Sequence, residues 1–131
     1  MKILLTGANG QLGCSIKEIF KDNHITVNAF SKTDLDITNK KQIALVMNEF
    51  KPNIIINAAA NTNVDNAEKY PDKAFNINYH GAKNIGMASK DYNIPLIHVS
   101  TDFVFDGDKK DGYLENDTKN PNFIIEEKTV K

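Results

Sequence analysis

The sequence predicts one α/β domain built on a doubly wound parallel sheet, and three observations carry that expectation. Short apolar, strand-like runs alternate with segments whose apolar residues recur at helical spacing. One run, "NIIINAAA" (residues 53–60), is almost continuously apolar, as strands in the middle of a parallel sheet are. The first run ends in "TGANGQLG" (residues 6–13), a glycine-rich bend that leads into a helical pattern. Parallel strands joined by right-handed crossovers gather their ligands at the carboxyl ends of the strands. Gly7, Ala58 and Thr101 fall at those ends.

Taken in order, Lys2 to Thr6 reads as a buried strand that stops at Gly7. Leu12, Ile16, Ile19 and Phe20 mark a helix from Gln11 to about Lys21. Ile25 to Phe30 is a second strand, followed by the polar turn "SKTDLDITNK" (residues 31–40) with its brief apolar pulse. Ile43, Val46, Met47 and Phe50 share one face of a helix from Lys40 to Phe50. After the apolar third strand, Pro71 opens a helix reaching about Tyr92, with Ala74, Phe75, Ile77, Ile85 and Ala88 facing inward. "IPLIHVS" (residues 94–100) is the fourth strand, and "DGDKKDGYLENDTKNPN" (residues 106–122) reads as an exposed loop.

Composition excludes several classes. With 131 residues the chain buries a real core yet is short for a two-domain enzyme. A formal charge of −1 gives no field that favours nucleic acid or anionic lipid, and no apolar stretch is long enough for a membrane span. The first residues do not read as a signal peptide, and Cys14 stands alone, which suits a small semi-buried residue in a reducing cytoplasm. His24, His80 and His98 lack metal-ligand spacing, so no metal is expected, and His98 inside a strand reads as a packed, satisfied imidazole. All 16 basic residues are lysines, so any anion is held by amides, hydroxyls or lysine point charges rather than a guanidinium fork.

The glycines of "TGANGQLG" supply the clearest chemistry. Gly7 permits a tight turn, Gly10 lets the backbone approach a diphosphate, and Gly13 allows helix and strand to pack closely. The helix beginning near Gln11 turns its free N–H groups and positive dipole end toward the anion. A dinucleotide is the expected ligand. Where the second strand ends, a carboxylate would read an adenosine ribose, but Phe30-Ser31-Lys32 stands there instead. Ser31 as a donor and Lys32 as a cation tolerate a 2′-phosphate, so the expectation leans from NADH to NADPH. Asp36 is placed either to accept from an adenine amino group, with Ile37 against the ring, or to cap the next helix, a task better suited to Thr38 or Asn39.

These motifs resemble the extended short-chain dehydrogenase/reductase family, and within it the dTDP-4-dehydrorhamnose reductase branch. The likeness rests on "TGANGQLG", "DLDIT", "PNIIINAAANTNVDNAE", "AFNINYHGAKNI" and "STDFVFDG", in matching order from Met1 to about Pro121. It implies a Rossmann-like NAD(P)-binding domain over residues 1–131 that is truncated at its C-terminus, without a substrate domain. It implies a diphosphate held by Gly7, Gly10, Gln11, Leu12 and Gly13, and an adenine held by Asp36 and Ile37. Ala58, Ala59, Ala60 and Thr62 would line the ribose and nicotinamide. Thr101 would hydrogen-bond the substrate's C4 carbonyl as a catalytic and substrate-binding residue, with Asp102 beside the sugar. The implied reaction is NAD(P)H-dependent reduction of that keto group in dTDP-4-dehydro-6-deoxy-L-mannose, giving dTDP-L-rhamnose.

The family takes its proton from a tyrosine with a lysine four residues later, a spacing that puts both on one helix face. In "NPNFIIEEKTVK" (residues 120–131) the tyrosine's place falls to Ile125, or to Ile124 with Lys128 in register. Tyr79 and Lys83 have the right spacing but precede the Thr101 strand, and read as an exposed helical pair; Asn78 is better placed for a polar contact near the site. The expectation is therefore weak coenzyme binding and slow or absent turnover. Two other readings stay open: a non-catalytic dinucleotide-binding subunit, with a second copy or a partner covering an open sheet edge, and an inactive gene remnant.

Overall fold

The computed structural model describes residues 1–21, 24–63, 69–101 and 104–120. Four strands, β1 (Lys2–Thr6), β2 (Thr26–Phe30), β3 (Ile54–Asn57) and β4 (Leu96–His98), form one parallel sheet in the order β2-β1-β3-β4. Helices α1 (Gln11–Ile19) and α2 (Lys40–Phe50) provide the first crossovers. The third is α3 (Pro71–Phe75), a π-helical turn (Asn76–Gly81) and α4 (Ala82–Asp91). The doubly wound sheet is as expected, although β3 and β4 are shorter than their apolar runs suggest.

Alternation along the strands divides the core between two faces. Leu4 and Ile55 meet Ile43 and Met47 of α2 and Ile85 and Ala88 of α4 on one face. Val46 and Phe50 join them, completing the α2 face that the periodicity predicts. Ile3, Leu5 and Ile56 point the other way, toward Ile16 and Phe20. The inward stripe of α1 and its C-cap is thus Gly13, Ile16 and Phe20, and Leu12 and Ile19 are exposed rather than packed. Phe75 likewise turns from the core to stack on Tyr79, with ring centroids 4.9 Å apart.

Polar side chains fix the loops at the carboxyl ends. Asn39 caps α2, its Oδ1 accepting from the amides of Lys41 and Gln42 at 3.1 and 3.3 Å. Buried Asn84 donates to the carbonyls of Ile37 and Thr38, tying α4 to the turn after β2. Cys14 is exposed, not semi-buried, because it sits on the solvent side of the α1 stripe. Among the described residues no helix is long and apolar enough to cross a membrane, and no cluster of side chains could hold a metal ion.

Residues 104–120 form no strand or α-helix, but they are closely tied. The Tyr113 ring stacks on Phe105 and its hydroxyl donates to Asp106, which also accepts from Asn120 Nδ2 at 3.1 Å. These donors, Tyr113 foremost, hold the Asp106 carboxyl below its ordinary range.

Candidate functional site

A cleft of about 210 Å³ opens where β1, β2 and β3 end. Gly7, Gly10, Ser31, Lys32, Asp36, Ile37, Ala58, Ala59 and Ala60 line it, so these sequence-selected positions meet in one place. Asn9, Leu35 and Ile77 line it as well. Leu35 carried a signal as the first residue of the apolar pulse, and Ile77 as part of a helical stripe. Gln11, Leu12, Gly13 and Thr62 are not in the lining; the first three form the opening turn of α1, and Thr62 lies exposed beyond β3.

The three glycines have different reasons to be glycine. Gly7 has φ of +75°, and a Cβ there would lie 2.5 Å from the Ala58 carbonyl oxygen. A Cβ on Gly13 would stand 2.2 Å from the Gly7 carbonyl oxygen, so α1 seats on the bend only without a side chain. Gly10 is under neither constraint. Its backbone is extended, with φ of −75° and ψ of 166°, and a Cβ would meet only Gly7 O at 3.4 Å. What glycine preserves at position 10 is space in the cleft. No side chain caps the helix behind it, and the first-turn amides of Gln11, Leu12 and Gly13 have no intrahelical acceptors. The bend therefore fits a diphosphate: room in front, and backbone donors with a positive dipole end behind.

The far side of the cleft differs from the sequence expectation in one respect. Ser31 Oγ donates to Asp34 Oδ2 at 2.5 Å, so its proton is already engaged and Ser31 is not the free donor expected for a 2′-phosphate. Lys32 remains exposed at the rim. Asp36 does not cap α2; its Oδ1 accepts from the amide and hydroxyl of Thr38 at 2.9 and 2.8 Å. Those two bonds, led by the amide, hold its carboxyl low, and Lys32 adds to the effect. Ile37 contributes to the lining while its side chain packs where a Cβ on Gly81 would otherwise stand.

Beneath the cleft runs a polar thread that sequence reasoning missed, buried at Thr6 and Asn57 and ending at His98, which is hydrogen-bonded but exposed rather than packed. Thr6 Oγ1 donates to Asn57 Oδ1 at 2.5 Å, and Asn57 Nδ2 pairs with His98 Nδ1 at 3.0 Å. Asn57 Oδ1 also accepts from the Ala59 amide at 3.3 Å, which leaves Nδ2 as the donor to His98. His98 thus presents an unprotonated Nδ1, and partial burial of the ring lowers its pKa from 6.5. The signal available was Asn57 itself, the polar interruption of an apolar run. Further out, Asn78 on the π-helical turn clamps the backbone of Asn61, accepting from its N–H at 2.7 Å and donating to its carbonyl at 3.1 Å. Single π-turns of this sort often occur at functional sites.

Thr101 follows the end of β4 and lies outside the cleft lining; Asp102, Ile124, Ile125 and Lys128 lie outside the described residues. The Lys83 ammonium sits 5.5 Å from the centroid of the Tyr79 ring, over its face, in a cation–π contact.

Comparison with known proteins agrees with this architecture. The family model for the RmlD substrate binding domain matches residues 1–125. The dTDP-4-dehydrorhamnose reductase of Aggregatibacter actinomycetemcomitans is 44% identical over 121 residues, covering 92% of this chain and 41% of its own length. The crystal structure of a dTDP-4-dehydrorhamnose reductase from Clostridium acetobutylicum superposes with a TM-score of 0.94 at 42% identity, covering 99% of this chain and 46% of that one. That of the Bacillus anthracis enzyme, in complex with NADP, gives 0.93 at 41% identity, covering 98% and 46%. The chain spans less than half the length of these relatives.

Proposed function

Because the chain belongs to the RmlD substrate binding domain family, we propose that its cleft holds the nicotinamide dinucleotide of a reductase acting on a dTDP-linked 4-keto sugar. The observation that carries this reading is Gly10, a glycine that neither sterics nor backbone conformation demands and whose missing side chain keeps the cleft open. When bound, the reduced dinucleotide supplies the hydride for the C4 carbonyl of dTDP-4-dehydro-6-deoxy-L-mannose.

The chain's own residues bind and orient. The amides of Gln11, Leu12 and Gly13 hold the diphosphate beside Gly7 and Gly10. Asp36 uses its second carboxylate oxygen for the adenine amino group, with Ile37 beneath the ring. Ala58, Ala59, Ala60 and Thr62 follow the ribose toward the nicotinamide, along a loop whose course Asn78 steadies through Asn61. The Thr101 hydroxyl donates to the C4 oxygen, with Asp102 beside the sugar. In sequence register Ile124 or Ile125 takes the place of the family's tyrosine, so turnover by this chain is expected to fall by about 10²–10⁴, the usual general-acid contribution. Exposed Ile97 on β4 and Val99 just beyond it support an edge that a second copy or a partner chain covers.

Titration calorimetry with NADH and NADPH, followed by an assay with the 4-keto sugar, tests the proposal. Saturable binding of a coenzyme with slow reduction is expected. Absence of binding by either coenzyme would overturn the cleft assignment, and turnover matching an intact reductase would overturn the role given to the missing phenol.

A further inference from the structure

Ser31 directly follows β2, where a carboxylate that reads the adenosine ribose usually stands. In this chain the carboxylate arrives from three residues further on. Asp34 Oδ2 accepts from the Ser31 amide at 3.0 Å and from Ser31 Oγ at 2.5 Å. A carboxylate only accepts, so the one hydroxyl proton of Ser31 points at Asp34. Ser31 Oγ also lies 2.8 Å from Thr33 Oγ1. With its own proton engaged, Ser31 accepts there and Thr33 donates. The chain of bonds runs from Thr33 through Ser31 to Asp34, and it leaves the cleft-lining Ser31 oxygen with a lone pair and no proton to offer.

We propose that Asp34, acting through Ser31, turns this corner of the cleft into an acceptor that reads a free ribose hydroxyl and so selects NADH over NADPH. Asp34 is a positioning residue in this inference, which rests on the dinucleotide reading of the cleft. A ribose 2′-hydroxyl brings the proton that Ser31 lacks. A 2′-phosphate brings acceptors and negative charge to an oxygen that already faces a carboxylate. Hydrogen bonds from Ser31 hold the Asp34 carboxyl below its ordinary range, which keeps it charged at neutral pH. The opposing cation is Lys32, but residues 31–37 carry Asp34 and Asp36 against that one lysine. Lys32 also acts on Asp36, and the chain has no arginine to grip a phosphate bidentately.

The experiment measures NADH and NADPH affinity of the full chain by titration calorimetry at pH 7.5. NADH is expected to bind about tenfold tighter, the worth of one well-placed hydrogen bond and an avoided repulsion. Asp34→Asn removes the charge and offers an Nδ2 donor, so Ser31 is no longer obliged to donate to residue 34, and it is expected to shrink that ratio about tenfold, mainly by strengthening NADPH. The double variant S31D/D34N moves the carboxylate to the residue that follows β2 and is expected to restore the NADH preference, which a merely structural role for Asp34 would not do. If Asp34→Asn fails to fold, Ser31→Ala serves, with NADH weakened and NADPH unchanged. An NADPH preference in the unaltered chain, or a ratio that neither variant moves, overturns the inference while leaving the cleft reading intact. Failure of both coenzymes to bind overturns both.

Discussion

On one face of the sheet Leu4 and Ile55 meet side chains from α2 and α4, while on the other, among the described residues, Ile3, Leu5 and Ile56 are covered by α1 and its flanks. The difference is plainest at β4. Leu96 packs into the fuller core, whereas Ile97, paired with Ile56 in the register and pointing to the α1 side, is 50% exposed. Among the described residues, α1 with its nine residues is the helix packed on that side of the four strands. Among the described residues the fuller face thus carries the larger core, and the thinner one runs out to β4. The cleft belongs to both, since the bend it uses joins β1 to α1 on the thin side while Leu35, Ile37 and Ile77 reach it from the full side.

Breaking the full face is expected to have the largest effect. Leu4→Ala or Ile55→Ala, both at 0% exposure, should cost about 3–5 kcal/mol, enough to unfold a marginal domain in a urea melt. Ile56→Ala on the thin face, 9% exposed with fewer neighbours to leave around a cavity, should cost about 2–3 kcal/mol. Equal losses on the two faces would contradict the asymmetry. Asn84→Ala leaves the Ile37 and Thr38 carbonyls without their donor and should cost about 1–3 kcal/mol in the same melt.

Acid sharpens the comparison at the β3–β4 junction. His98 is held neutral in the fold, its pKa below the ordinary 6.5, so the unfolded chain takes up a proton first. The stability this contributes is full above pH 6.5 and declines as pH falls below it toward the lower folded value. Asp36, with its pKa held below 3.8, adds a further loss only near and below that value. Thermal melts at pH 7.5 and 5.5 should therefore show a drop that His98→Gln reduces; identical drops would exclude this origin. The smallest effect on folding is expected from Ile97→Lys, within about 0.5 kcal/mol, because half of that side chain is already in water. Sizing chromatography of that variant should show less self-association if the edge joins copies.

Much of this arrangement was legible in the sequence because periodicity and glycine spacing report local requirements. The succession of strands and helices along the chain, the α2 face and the meeting of Gly7, Ser31, Asp36 and Ala58 in one cleft follow from such requirements. What escaped was set by tertiary contacts. The apolar spacing of Ile19 gives no hint that its side chain ends 67% exposed, and Phe75 is drawn outward by Tyr79 four residues on. The direction of the Ser31 proton depends on Asp34 folding back across a turn, and the pairing of Asn57 with Thr6 and His98 joins three strands.

The account's central claim is that space and bare amides at the first bend hold a coenzyme diphosphate, and Gly10→Ala tests it most directly. Gly13→Ala should unseat α1, but Gly10→Ala is expected to melt at the parent temperature while coenzyme affinity in calorimetry falls at least about tenfold. A Gly10→Ala protein that melts normally and binds NADH and NADPH as the parent does would contradict it.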